Sequence, residues 1–164
     1  MSRQQGYKAK SNGKLFESII DMSCIHYLRQ GKAAIEKTPE PLKMLRSTPR
    51  GREVIAVFEK RAQPDYQGTL KDGKSILFEA KHTDDTSIRF DRVSTTQSEY
   101  LATHAKLGAE CYVLLSFKFK SFYFVPWNDW LLLEYKTGKK SVNATDLSEY
   151  QVQYERGIVN FLGG

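Results

Sequence analysis

The chain has little of what would place it outside a reducing compartment or inside a bilayer. Cys24 and Cys111 are its only cysteines. They lie far apart in apolar surroundings, which predicts two buried free thiols rather than a disulfide. With His26, His82 and His104 they make no zinc-ligand spacing. No apolar run approaches the roughly 20 residues of a membrane-spanning helix. The opening MSRQQGYKAKSNGK is polar and basic, without the apolar stretch of a secretory signal. These absences argue against a disulfide scaffold, a zinc module and a membrane protein, and they predict a cytoplasmic one. Internal repeats and low-complexity segments are also missing. Proline is scarce, yet Pro39, Pro41 and Pro49 crowd into one short stretch.

What is present suits one globular domain over residues 1–164. Hydrophobic residues are 40% and charged residues 27% of the chain. The net charge is +6, a surplus that favours a polyanionic partner. Its distribution is uneven. Arg3, Lys8, Lys10 and Lys14 crowd the start, and Lys37, Lys43, Arg46, Arg50, Arg52, Lys60 and Arg61 fill the next polar stretch.

Residues 1–11 read as a mobile basic arm. Asn12 can cap a helix, and Leu15, Phe16, Ile19, Ile20, Tyr27 and Leu28 repeat at helical spacing up to Gly31. The pattern predicts a helix over about 13–30 and a short strand over 33–37. Residues of about 38–62 hold the clustered prolines and few apolar side chains, which predicts a protruding loop or stalk with a strand at 54–58. An Asp72-Gly73 turn then joins two strand-like runs, 64–70 and 75–81, into a hairpin. Ser94 and Gln97 have the spacing of a capping box for a helix that Gly108 stops. Strands at 111–117 and 121–125 and a short helix at 130–135 follow. The tail from Thr145 reads as a weak helix with a short apolar end. The whole predicts an α/β domain with a mixed central sheet flanked by helices.

The chemistry concentrates at Pro64-Asp65 and Glu79-Ala80-Lys81. Side chains alternate along a strand, so Glu79 and Lys81 share a face, with Phe78 and Ala80 pointing the other way into the core. The hairpin returns Asp65 beside that pair. Two carboxylates held together suit a hard divalent cation such as Mg²⁺, with the Ala80 carbonyl as a further ligand. A water on such a cation has a lowered pKa and attacks phosphorus in line, while Lys81 orients it or stabilises the charge that develops. Glu17, on the flank of the first apolar stripe, is a third acid that either completes the site or is solvated. Without the metal, Asp65, Glu79 and Lys81 would be a cross-strand salt bridge on an exposed hairpin.

At these residues the sequence resembles the RecU-type Holliday junction resolvases, members of the PD-(D/E)XK nuclease superfamily. The likeness lies in Asn12-Gly13-Lys14-Leu15-Phe16-Glu17, in Ile35-Glu36-Lys37-Thr38-Pro39-Glu40-Pro41, in Pro64-Asp65-Tyr66-Gln67-Gly68, and most specifically in Phe78-Glu79-Ala80-Lys81-His82-Thr83. Gln97 and Tyr123-Phe124-Val125 with Trp127 extend it. Two departures stand out: Asn12 adjoins Gly13, and Pro64 replaces the family's usual polar residue.

The resemblance implies a restriction-endonuclease-like core with a stalk, acting as a homodimer on four-way DNA, each subunit nicking one strand. It implies that Glu17, Asp65 and Glu79 hold Mg²⁺ or Mn²⁺, that Lys81 is catalytic, and that Thr83 and Gln97 support the site. Arg3, Lys8, Lys10 and Lys14 on the arm and Lys37, Lys43, Arg46, Arg50 and Arg52 on the stalk would bind the DNA backbone. The rival readings are another nuclease of the superfamily, a nickase or restriction-like enzyme, and a silent junction-binding module. Gln97 as a capping residue alone and Thr83 as a strand-end residue alone also stay open.

Overall fold

A computed structural model describes residues 3–39, 42–47, 54–58 and 63–163, with side chains over 6–39 and 63–163. The first helix, α1, spans Arg3–Arg29. Phe16, Ile20, Cys24 and Tyr27 recur at helical spacing and are buried. The helix begins well before residue 13, which corrects the reading of residues 1–11 as an arm. Asn12 does not cap it: its side-chain amide donates to Asp84 across the fold at 3.0 Å. Gly13 sits inside the helix, at a cost of roughly 1 kcal/mol that tertiary contacts offset.

The strands in chain order are β1 Ala33–Lys37, β2 Leu42–Ser47, β3 Val54–Phe58, β4 Tyr66–Leu70, β5 Ser75–Thr83 and β6 Ser87–Arg89. Helix α2, Thr95–Lys106, precedes β7 Glu110–Phe117 and β8 Ser121–Pro126. Helix α3, Trp127–Thr137, leads to β9 Ser141–Asn143, β10 Gln151–Val152, β11 Tyr154–Glu155 and β12 Ile158–Val159. A mixed six-stranded sheet has the order β1-β4-β5-β7-β8-β10. Its one parallel pair is β5 with β7. Strands β2 and β3 pair antiparallel with each other, outside that sheet. The strand expected at 54–58 is β3; the reading of the stretch before it as loop is corrected at Leu42–Ser47, which forms β2 with a register shift between Met44 and Arg46. The tail is likewise short strands and one 3₁₀ turn, not a helix; two-residue strands are too short to show a period.

Both sheet faces are covered. Phe16, Ile20 and Tyr27 of α1 pack with Ile76, Phe78, Leu114, Phe122 and Phe124 on one face. Leu101 of α2 and Trp127 and Trp130 of α3 pack with Leu77, Val113, Leu115 and Val125 on the other. Successive residues of β5 thus enter opposite cores. Phe78 and Ala80 enter the core as alternation predicts, and Glu79 on the other face is itself fully buried. Cys24 and Cys111 are free, buried thiols. Burial pushes their pKa up, to about 12 and about 11.

Candidate active site

The site forms where β5 loses a neighbour. Strand β4 begins at Tyr66, opposite Phe78. Beyond that point β7 still flanks β5 on one side. On the other side Asp65, the residue before β4, stands in for a strand: its Oδ2 accepts the Ala80 N–H at 2.9 Å. Pro64 before it is buried, which fixes the approach of the chain.

Glu79 and Lys81 share a face, and the Lys81 ammonium donates to Glu79 Oε2 at 2.8 Å. The same ammonium lies 3.5 Å from Asp65 Oδ2. The hairpin therefore brings Asp65, Glu79 and Lys81 together as its turn predicts. Lys74 N–H donates to the Asp72 side chain at 3.1 Å, and Gly73 takes φ +86°, a value glycine adopts without strain.

Glu79 Oε2 also accepts from the Gln97 side-chain amide at 2.6 Å. The other end of Gln97 belongs to the capping box: Ser94 N–H donates to Gln97 Oε1 at 3.0 Å, and Gln97 N–H donates to Ser94 Oγ at 3.3 Å. Gln97 therefore caps α2 and also bonds Glu79. The cap fixes the amide, and the amide fixes the acid.

Glu79 Oε1 is buried with no hydrogen-bond partner among the described residues. An unsatisfied buried acceptor costs about 1–3 kcal/mol, more if charged, so this oxygen is set up for a ligand. Burial pushes the Glu79 carboxyl up to about 8, and the nearby Asp65 charge adds to that. Burial also opposes the Lys81 charge, yet Asp65 and Glu79 outweigh it and its pKa is raised. Excess protons thus collect around two crowded acids. A hard divalent cation fits this donor set, because Mg²⁺ takes one or two carboxylates and fills its remaining positions with water and phosphate.

No hydrogen bond or ion pair joins the Glu17 carboxylate to Asp65, Glu79 or Lys81 among the described residues. Lys37 donates to Glu17 Oε2 at 2.6 Å, and among the described residues no three His, Cys, Asp or Glu side chains stand close enough to hold a metal. Thr83 does not touch the acids either; its hydroxyl accepts the Asp85 N–H at 3.1 Å and shapes the turn after β5.

Tyr66 and Gly68, named in the sequence only as parts of a motif, have structural roles that the motif does not state. Tyr66 is fully buried, stacks on Phe78 at 5.0 Å, and donates to Asp21 Oδ1 at 2.8 Å. It ties α1 to the residue beside Asp65. A buried tyrosine hydroxyl needs a partner, and Asp21, one helical turn after Glu17, was available to be named. Gly68 has a purely steric role: a Cβ there would meet Ala34 O at 2.1 Å and Ile35 Cα at 2.6 Å. Only glycine lets β1 close on β4.

The basic residues are dispersed. Lys10 and Lys14 are exposed on α1. Lys8 reaches Asp84 at 3.1 Å. Arg3 lies in α1, and Lys43 and Arg46 lie in β2; Arg50 and Arg52 fall outside the described residues. No helix among the described residues is long and apolar enough to cross a membrane.

The Holliday junction resolvase RecU of Streptococcus equi subsp. equi is 32% identical over 135 residues, covering 77% of this chain and 66% of that protein. The RecU of Bacillus pumilus is 31% identical over 156 residues, covering 90% and 75%. A RecU from Streptococcus equi subsp. zooepidemicus is 33% identical, and the match spans 60% of its length. The chain thus spans just under two thirds of these streptococcal relatives. Among solved structures, Archaeoglobus fulgidus Hjc, a Holliday junction resolvase, superposes with a TM-score of 0.51 at 18% identity, covering 84% of this chain and 93% of that one. That likeness concerns the fold, an α/β nuclease core with a mixed sheet. The family model described as Recombination protein U matches residues 11–163, and this chain belongs to that family.

Proposed function

We propose that the chain is a structure-selective endodeoxyribonuclease that resolves four-way (Holliday) DNA junctions. It acts as a homodimer in the cytoplasm, each subunit nicking one strand, with Mg²⁺ as cofactor and Mn²⁺ able to replace it. The observation that supports this reading most is the buried Glu79 carboxylate with one oxygen unsatisfied, beside Asp65 and Lys81. A salt bridge built only for stability has no use for two acids in one place, since they repel each other.

Asp65 and Glu79 would hold the cation. In a strand a residue's N–H and C=O point to the same side, so the Ala80 carbonyl lies on the side where Asp65 takes the Ala80 N–H and would be a third oxygen ligand. When bound, the cation supplies Lewis acidity and an activated water for phosphodiester hydrolysis. The chain's own residues do the rest. Lys81, held protonated by the two carboxylates, places a positive charge where negative charge develops on the phosphate oxygens. Gln97 holds the Glu79 head in one orientation. Lys10 and Lys14, with Arg3, Lys8, Lys37, Lys43, Arg46, Arg50 and Arg52, neutralise the DNA backbone.

The test is a cleavage assay with Mg²⁺ on a mobile four-way junction, a linear duplex and a flap of matched sequence. Symmetrical paired nicks on the junction alone are expected. Cutting of the duplex at a defined sequence would select a restriction-like enzyme instead, and binding without any cutting would select a silent junction-binding module.

A further inference from the structure

At the end of β5 three donors converge on one carboxylate. Asp84 Oδ2 accepts from Lys8 Nζ at 3.1 Å and from Asn12 Nδ2 at 3.0 Å. Asp84 Oδ1 lies 3.2 Å from His82 Nε2. A carboxylate only accepts, so Nε2 carries the proton, and Nδ1 then accepts from the Ser116 hydroxyl at 3.0 Å. Lys8 and Asn12 stand one helical turn apart on the same face of α1. Phe16, one turn further, packs toward the His82 ring at 6.2 Å.

The histidine end of this cluster is rigid. The His82 side chain is only 6% exposed. Its ring stacks on Phe119 at 4.0 Å and 21°. Phe119 and Lys118 both take φ +55° in the three-residue connection from β7 to β8. Asp84 is the soft member, with its side chain 44% exposed in the turn after β5. A fixed imidazole, a helix-borne amide and a flexible ammonium around one anion are the donors that a phosphodiester takes from a protein. Chain length bounds the site: Asp84 lies three residues from Lys81, hence at most about 11 Å away. Measured along the duplex axis, at 3.4 Å per nucleotide of one strand, that spans no more than about three base steps.

We propose that His82, Asn12 and Lys8 form a backbone-phosphate subsite flanking the catalytic centre, and that Asp84 occupies it as an internal stand-in until DNA displaces it. The inference rests on the reading that the chain binds DNA. It adds a subsite on the α1 side of the sheet, opposite the face of Glu79 and Lys81. It also gives Asp84 a purpose: an acid near the path of DNA holds the donors in place and makes phosphate compete for them.

The test measures binding of a fluorescent four-way junction in chelator across a salt series, for wild type, Asp84→Ala, Asp84→Asn and Asp85→Ala. Asp85→Ala removes the same charge one residue away. Both Asp84 variants are expected to bind about fivefold or more tighter than Asp85→Ala, with the salt slope steeper by about 0.9, one further phosphate contact. Adding His82→Ala or Asn12→Ala to Asp84→Asn is expected to abolish the gain. Equal gains from Asp84→Ala and Asp85→Ala would show a general charge effect and overturn the proposal. Weaker binding by both Asp84 variants would make Asp84 a plain anchor of α1 and overturn it too. Wild type that binds no DNA under these conditions would overturn both this inference and the functional reading beneath it.

Discussion

The two halves of strand β5 differ in what lies beside them. From Ser75 to Phe78 the strand has β4 on one side, and from Ile76 onward it has β7 on the other. Ile76, Leu77 and Phe78 in this half are buried and apolar. From Glu79 onward β4 is gone, and side chains replace it: Asp65 takes the Ala80 N–H, and Lys81 bridges Asp65 to Glu79. One half is sheet, satisfied by backbone. The other is a sheet edge satisfied by titratable groups, with one acid oxygen left over. The candidate site lies where the partner strand runs out, and there Glu79 Oε1 is buried and unpaired among the described residues.

The comparison breaks hardest if the acids at the open end are dispensable. Asp65→Asn or Glu79→Gln is expected to reduce four-way junction cleavage by at least ~10³-fold, a loss of preorganised charge stabilisation, while junction binding in a gel-shift assay stays intact. Next in size is the closed end's own neighbour. Gly68→Ala forces β1 off β4 and is expected to cost about 2 kcal/mol or more by denaturant titration. A loss below half that would mean the close approach of β1 is not needed.

Two smaller effects sharpen the contrast. Ser94→Ala removes the α2 cap, and an expected loss of about 1 kcal/mol follows; junction cleavage should also drop, because the Gln97 amide loses its anchor. The pH dependence of stability carries the sign of the open end. Glu79 is pushed up to about 8 in the folded protein and titrates near 4.3 when unfolded. Between those values the folded state holds the extra proton, so metal-free stability falls as pH rises from about 5 to about 8. Thermal melts in chelator should show that fall in wild type and a flatter profile in Glu79→Gln. Equal slopes would mean that Glu79 is ionised throughout.

The hairpin and the α2 cap were legible in the sequence because their signals are local. Asp72-Gly73 dictates the hairpin, and alternation then puts Glu79 and Lys81 on one face. Ser94 and Gln97 announced the α2 cap at four-residue range. What was hidden depends on tertiary distance. Nothing near Glu17 says that Lys37, twenty residues on, will pair with it through β1, so its carboxylate read as a third ligand. Asn12-Gly13 looked like a helix start because its partner Asp84 lies 72 residues away. The burial of Glu79 was invisible for the same reason: it takes α2, packed over that face, to shut out water.

The most direct test of the central claim is calorimetric titration of Mn²⁺ into the chelator-stripped protein, wild type against Asp65→Asn and Glu79→Gln. The account predicts a site in wild type that releases a proton near neutral pH, as buffers of different ionisation enthalpy would show, and its loss in both variants. Binding of equal strength in Glu79→Gln would contradict it, since the unsatisfied oxygen would then have no ion to hold.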